Sequence, residues 1–423
     1  MFERFRIRGT PTDLLVDKTG KEIDWRVGYG PPPDRVLEWI KNTLAGVDTY
    51  VDLTARFAKN PNDVAVVFKL AAKTANRLTP EMGAQSKQFY EKILTMNLQG
   101  QAASYYDEDY EATIPYVEAA QFALAQTTVF GREPDPAAMV KFVKDHPESP
   151  MTKTGYRYLT YYYGQAATQE AADKFFDEYN AKFPGDRDAL AAYVERIIKD
   201  KGPVDKGLEM AEKLKKMAGY PPNPAFEQYL ADLYILKGDP AKADGEYGKD
   251  FLDTYASNSF YSLIGFADFW ADQGRNLESA EAAADLALNL KPDDWFSYAQ
   301  TAGVYAKVGK DDKALSVYGP GFVKKFGNEQ LPLVNYAIFW TNAGKNLDSA
   351  FDAARRAAEL SPDYFNYFWL GQVLFKLKKY DEALNAAQKA ADLVKPLAAK
   401  DASFPVQRYE KLVKDIQEAM AKK

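Results

Sequence analysis

Two stretches of this chain are near copies of each other. Phe269-Trp270-Ala271-Asp272-Gln273-Gly274-Arg275-Asn276-Leu277-Glu278-Ser279-Ala280 recurs 70 residues later as Phe339-Trp340-Thr341-Asn342-Ala343-Gly344-Lys345-Asn346-Leu347-Asp348-Ser349-Ala350. The copies stay in register, with Ala284, Ala287 and Pro292 answering Ala354, Ala357 and Pro362. The intervening segments repeat too: Ala243, Tyr247, Gly248, Phe251 and Tyr255 answer Ala314, Tyr318, Gly319, Phe322 and Phe326, and Ala383 opens a further copy. A period of this length allows few folds. Each repeat is a small unit that cannot bury its own apolar edge and must stack on its neighbours.

Each 70-residue unit divides into two of about 34 residues, each a helix, a tight turn and a second helix. The clearest runs Tyr367, Leu370, Gly371, Leu374, then Lys378-Lys379-Tyr380-Asp381-Glu382, then Ala383, Ala387, Ala390 and Pro396. Small residues at Gly371, Ala383 and Ala390 let the paired helices approach, while Tyr367, Leu370 and Leu374 fill the space between hairpins. Pro396 is expected to end the second helix, because it lacks an N–H and clashes with the preceding turn. The sets Ala302-Tyr305-Gly309-Ala314-Tyr318 and Ala231-Tyr234-Gly238-Ala243-Tyr247 follow the same plan. These positions resemble the tetratricopeptide repeat (TPR), with its large–large–small–large first helix and Ala-x3-aromatic-x2-Ala second helix. Two departures stand out: an extra turn residue in Gly344-Lys345-Asn346-Leu347, and Gly319-Pro320-Gly321, which breaks a second helix. The resemblance covers residues from about Asp186 to Pro396 and implies a mostly α, helical-hairpin solenoid.

Upstream, Thr154 to Pro184 reads as one more hairpin, with Ala172, Phe176 and Tyr179 in repeat-like places. Segments 48–100 and 110–146 each read as two amphipathic helices that follow the repeat poorly, with breaks at Thr79-Pro80, Gly131-Arg132-Glu133-Pro134 and His146-Pro147. After the array, Val406, Tyr409, Leu412, Val413, Ile416 and Met420 form one apolar face opposite Lys411, Lys414, Asp415 and Glu418, a helix suited to capping the last repeat. The expected organisation is 1–46, a partial α/β segment; 47–150, divergent hairpins; 151–396, the TPR array; and 397–423, a capping helix.

The first segment reads as strand Arg4–Ile7, Gly9-Thr10-Pro11-Thr12, strand Asp13–Val16, a turn at Lys18-Thr19-Gly20-Lys21, strand Glu22–Gly28, and a helix from Arg35 to Leu44. That order resembles the C-terminal half of the thioredoxin fold. The resemblance implies that Pro11 is the family's cis proline and that Thr10 matches the neighbour that pairs with a substrate peptide beside the redox cysteines. The half carrying Cys-x-x-Cys has no counterpart, which points to a fragment or shortened reading of a longer parent. The segment is then expected to be a three-stranded antiparallel flap with one helix, packed against the first helices after Asp48, or poorly ordered.

Composition narrows the chemistry. The 423 residues carry 54 Lys+Arg against 60 Asp+Glu, a net charge of −6, one His and no Cys. That balance argues against a nucleic-acid binder. Lack of Cys removes thiol–disulfide exchange and Cys-ligated zinc, and a lone His146, expected in solvent at a helix end, cannot build an HExxH site. No cofactor or metal is expected. No apolar run reaches the ~18 residues of a membrane helix, and the charged start is no signal peptide; the default compartment is cytoplasmic, an exported parent being compatible.

Two other patterns have ready structural readings. Asp107, Asp109, Glu111 and Glu118 have the spacing of a calcium loop, but Ala112 stands where that loop needs Gly and Pro115 stiffens it; an acidic, solvated helix start fits better. Tyr156, Tyr158, Tyr161, Tyr162 and Tyr163 could stack a ligand, with packing between layers the better expectation. In TPR arrays, first-helix positions matching Phe296, Phe365, Phe368, Gln372 and Phe375 line the concave groove, so the resemblance implies these as candidate peptide contacts. The expected function is a non-catalytic TPR scaffold holding a protein or peptide partner. The alternative is a thiol oxidoreductase or redox chaperone with a TPR arm, its Cys-x-x-Cys half lying upstream of Met1.

Overall fold

In a computed structural model the described residues are 12–27, 33–77, 79–99, 103–130, 133–218, 223–256, 258–400 and 404–422. The backbone divides into two units, Met1–Pro203 and Val204–Lys423, each built around helical hairpins.

The first unit begins with antiparallel strands β1 (Thr12–Val16) and β2 (Glu22–Val27), followed by α1 (Pro33–Leu44). The Asp17 carboxylate closes the β1–β2 turn by accepting from the Thr19 and Lys21 amides, and Gly20 supplies the positive φ the turn needs. Thr19's hydroxyl, then the Lys21 amide, hold the Asp17 carboxyl below its usual range. Helices α2 (Tyr50–Lys59), α3 (Val64–Ala75) and α4 (Pro80–Thr95) follow. Thr49, Asp63 and Thr79 cap them by accepting the amide three residues on, and Pro80 sits at the start of α4, where no N–H is required. The N-terminal hairpin packs on these helices. Buried Asp24 accepts Lys73 Nζ at 2.6 Å and Trp39 Nε1 at 2.9 Å, and Arg77 lies over the Trp25 ring while bonding Glu22. Two of the three expected strands therefore exist among the described residues, with the helix in place. Arg4–Ile7, Thr10 and Pro11 lie outside the described residues.

A second hairpin, β3 (Ser104–Asp107) with β4 (Ala112–Pro115), was not anticipated and precedes α5 (Tyr116–Val129). It spreads the four acids of the calcium-like spacing over β3 (Asp107), the turn (Asp109 and Glu111) and α5 (Glu118). Asp107 Oδ1 caps the turn amides of Asp109 and Tyr110, Asp109 pairs with Arg35, and Glu118 on α5 accepts from Ser149. Helices α6 (Ala137–Asp145), α7 (Thr152–Gln165), α8 (Gln169–Lys182) and α9 (Arg187–Asp200) complete the unit. The hairpin read over 154–184 is α7–α8, with Ala172, Phe176 and Tyr179 fully buried. First helices stack in succession: α3 on α5, α5 on α7, α7 on α9.

The second unit repeats this plan with more regularity. It contains α10 (Val204–Ala218), α11 (Pro224–Lys237), α12 (Pro240–Tyr247), α13 (Lys249–Phe251) with a π turn at Leu252–Ala256, and α14 (Phe260–Gln273). After these come α15 (Leu277–Leu290), α16 (Trp295–Lys307), α17 (Asp311–Val317), α18 (Pro320–Phe326), α19 (Gln330–Ala343) and α20 (Leu347–Leu360). Last are α21 (Tyr364–Lys376), α22 (Tyr380–Lys400) and α23 (Val406–Ala421). Second helices α15, α20 and α22 offer alanine at the hairpin contact (Ala280, Ala284, Ala350, Ala354, Ala383, Ala387), all without exposed surface.

The reason for a period of 70 rather than 35 is visible here. Two alternate second helices are broken, at Gly248 between α12 and α13 and at Gly319 between α17 and α18, while α22, the next in the alternation, is continuous. At both breaks the preceding tyrosine's carbonyl is taken by an indole from the next first helix: Trp270 Nε1 donates to Tyr247 O at 2.6 Å, and Trp340 Nε1 to Tyr318 O at 2.7 Å. The hairpins between them turn through Asn276 and Asn346, both at φ +47°, a conformation asparagine tolerates better than most residues. The structural repeat is thus a pair of unlike hairpins.

One expectation fails. Pro396 does not end α22, which continues to Lys400. Pro396 is on the exposed face, where the carbonyl it leaves unpaired can be solvated, while Ala390, Ala391 and Val394 are buried and α22 packs along α23. Helix α23 covers the last hairpin with Tyr409, Leu412 and Ile416.

Candidate functional site

In the second unit α11 packs on α14, α14 on α16, α16 on α19, α19 on α21 and α21 on α23. Among the described residues the second helices make no comparable contact with one another. The first helices therefore form a continuous wall, one face of which stays open.

That face is fixed by helical geometry. Positions i, i+4, i+7 and i+11 share one side of a helix. Counting from the second residue, α14 presents Tyr261, Gly265, Asp268 and Asp272, and α16 presents Phe296, Gln300, Gly303 and Lys307. In the same register α19 presents Leu331, Asn335, Ile338 and Asn342, and α21 presents Phe365, Trp369, Gln372 and Lys376. All but Trp369 are partly or fully exposed. Tyr261 is 70 %, Phe296 37 % and Leu331 52 % exposed, and Phe365 is half-buried. They form an apolar row with one member per first helix.

The polar groups of the wall are also organised. Lys307 Nζ lies 3.0 Å from Asp268 and 3.0 Å from Asp272, joining α16 to α14. Burial alone would lower its pKa, but the two carboxylates hold the ammonium above its ordinary value. Gln330 donates to buried Asn366 at 2.7 Å, joining α19 to α21. On α11, burial pushes the Asp232 carboxyl up to about 6.

The Asp232 shift has a definite sign. A carboxyl whose folded pKa is raised favours the folded state when protonated. Its contribution is complete below its ordinary value of 3.8 and is lost as pH rises through about 6. Asp232→Asn is therefore expected to raise the thermal midpoint at pH 7.5 and to leave it unchanged at pH 3.5. Melting curves of both proteins across that range check it; equal midpoints at all pH values would contradict it.

The residues expected from sequence divide by angle around α21. Phe365 and Gln372 are on the open face with Phe296 of α16. Phe368 is rotated off it, is 2 % exposed, and packs against Tyr409 of α23 with ring centroids 5.1 Å apart. Phe375 turns toward Tyr380 at the hairpin. Thr10 and Pro11 lie outside the described residues. Tyr261, Leu331 and Trp369 were not anticipated, although Tyr261, Phe296, Leu331 and Phe365 recur at intervals of 34 or 35 residues.

In the first unit the tyrosines of α7 serve packing. Tyr156 is buried and donates to Glu178 at 2.6 Å, and Tyr163 stacks on Phe175 at 4.3 Å; only Tyr161 of the pair Tyr156 and Tyr161 is exposed. His146 is not in open solvent as expected. It closes α6 beside α5, with Nε2 2.8 Å from Gln121 Oε1, Nδ1 3.5 Å from Glu118 and its ring against Phe142. Gln121 lies where a nucleophile would be needed, so the site is not a catalytic triad. Among the described residues no group of three or more acidic or His side chains could hold a metal, and no helix is long and apolar enough to cross a membrane.

Residues 365–395, which span α21 and most of α22, match the family model of the tetratricopeptide repeat. No curated protein sequence matches the chain. Among solved structures, a tetratricopeptide repeat protein from Parabacteroides merdae ATCC 43184 is similar at 13 % identity, over 66 % of this chain and 98 % of that one, with a TM-score of 0.33. YrrB, a TPR protein with an unusual peptide-binding site, is similar at 13 % identity, over 52 % and 91 %, with a TM-score of 0.23. Naa15/Naa10 bound to HypK-THB is similar at 16 % identity, over 94 % and 72 %, with a TM-score of 0.38. The likenesses are distant; the helical-hairpin stack is read from this chain's own packing.

Proposed function

We propose that the chain is a non-catalytic scaffold that holds a peptide or protein segment along the open first-helix wall of its second unit, in the manner of a TPR groove. The observation that carries this reading is the apolar row. Tyr261, Phe296, Leu331 and Phe365 recur once per hairpin on a solvent-facing surface, whereas the apolar residues of the neighbouring helix faces are spent on packing. First helices that touch one another while second helices do not support reading this wall as the inner side of a curved stack. Amides at Gln300, Asn335 and Gln372 beside the row can serve a partner's backbone.

The alternative, a thiol oxidoreductase fragment, gains no support. A two-stranded hairpin with one helix is what the described residues show of 1–46, and the thioredoxin likeness of that segment remains a sequence resemblance.

The test is a double substitution. Phe296→Ala with Leu331→Ala is expected to weaken any partner recovered by cross-linking and pull-down by tenfold or more, since apolar anchors of this kind contribute about 2 kcal/mol or more each. Circular dichroism should be unchanged, because neither side chain belongs to the buried core: Leu331 is half exposed and Phe296 more than a third. Undiminished partner recovery would contradict the reading.

A further inference from the structure

We propose that the groove between α4 and α6, in the first unit, is a binding site for a small uncharged molecule with an apolar body and one carbonyl-type oxygen. The site is independent of the partner wall, which belongs to the second unit.

The groove exists because of what α5 does not supply. Helix α5 packs on both α4 and α6, while α4 and α6 make no comparable contact with each other among the described residues. In the second unit, α14 and α19 turn large buried rings toward the preceding second helix. Phe266 and Trp270 meet it at Tyr247, the end of α12, and Tyr336 and Trp340 meet it at Tyr318, just past α17. Helix α5 lends only Gln121, Leu124, Ala125 and the threonines Thr127 and Thr128 to its space, and a cavity of about 350 Å³ remains. That is within the ~300–1,000 Å³ of small-molecule clefts, and it is a poor fit for a partner helix, which is ~10 Å across.

The lining sets the chemistry of the guest. Leu94, Leu124, Ala125 and Phe142 give it apolar walls, and Leu94, 39 % exposed, stands at its opening to solvent. The charged groups of the rim are paired along their own helices, Lys87 with Glu91 and Lys141 with Asp145. The hydroxyls of Thr127 and Thr128 donate to Leu124 O and Ala125 O. One polar group is left over. Gln121 Oε1 lies 2.8 Å from His146 Nε2, and the Gln121 amide N–H groups have no partner among the described residues. His146, its ring against Phe142, fixes that amide at the cavity wall. A charged guest would shed water here without gaining a free counter-ion, whereas an apolar body gains by leaving water. The free amide donor then selects an acceptor oxygen on that body.

The experiment titrates the full chain with octanamide, octanoate and octylamine by isothermal calorimetry. The three share an apolar chain and differ in a neutral, anionic or cationic head. Octanamide is expected to bind saturably, and each charged analogue about fivefold more weakly. Ala138→Trp brings an indole into the cavity from an exposed position on α6, and should abolish octanamide binding with the helical signal unchanged. Gln121→Leu keeps the apolar walls and removes the donor, and should weaken octanamide about fivefold while leaving the charged analogues as weak as before. Octanoate or octylamine binding as tightly as octanamide would overturn the proposal. So would octanamide binding that survives both substitutions, or no saturable binding of any of the three. None of these results bears on the scaffold reading.

Discussion

Gly319→Ala is expected to destabilise the second unit by roughly 3 kcal/mol or more. A Cβ at position 319 would lie 2.0 Å from the Leu315 carbonyl oxygen, a backbone atom that cannot rotate away. The chain is extended at Gly319, between the end of α17 at Val317 and the start of α18 at Pro320. It is this bend that brings Phe322 and Phe326 into the core. Gly248 has the same geometry, with a Cβ 2.0 Å from Asp244 O. The control is Gly303→Ala in the interior of α16, where a Cβ meets nothing within 4 Å. There alanine should stabilise by about 0.5–1 kcal/mol through helix propensity. Urea denaturation followed by circular dichroism separates the two. A Gly319→Ala midpoint within error of the parent would show that the break is not needed.

Trp340→Phe is expected to cost about 3 kcal/mol, a sum of lost contacts and an orphaned buried carbonyl. Past the break, the amides of Phe322 and Val323 both turn to Gly319 O, so the Tyr318 carbonyl depends on the Trp340 indole. Trp369→Phe should cost only about 1 kcal/mol, because the indole N–H there has no acceptor to abandon among the described residues. The same denaturation measurement reads both. Equal losses for the two substitutions would mean that the Trp340 hydrogen bond contributes little.

Much of this was legible in the sequence, for identifiable reasons. The period of 70 shows because alternate hairpins must be unlike: one needs Gly248 or Gly319 and a tryptophan to answer the break, the other needs Asn276 or Asn346 in a left-handed turn. The apolar stripe of α23 shows because helical spacing places Tyr409, Leu412 and Ile416 on one side. The binding face was only half legible. Phe296 and Phe365 share the angular position that stays open, but Phe368 is three residues on, about 60° round the helix, and lands against α23. Aromatic content selects both kinds of residue; angle separates them. Tyr261 and Leu331 needed the 35-residue interval to be followed along the exposed face as well as the buried one. Pro396 misled because a proline on a helix's solvent face costs one hydrogen bond, which packing on α23 outweighs. The hairpin at 104–115 misled because its acidic turn resembles a helix start, while Asp107 serves the turn itself.

The pairing of unlike hairpins into one structural repeat is tested most directly by deletion. Removing residues 276–345 joins Arg275 to Asn346 and takes out one whole period, so α14 would pair with α20 as α19 does, and Trp270 would keep the Tyr247 carbonyl. Because contacts in a stack are between neighbours, that shortened chain should unfold cooperatively with undiminished helicity per residue. Removing residues 276–310, half a period, would join α14 to the broken pair α17–α18 and should give an aggregating or partly unfolded protein. Denaturation of the two deletions side by side decides it. Two equally stable proteins, or collapse of the 276–345 deletion, would contradict a two-hairpin repeat.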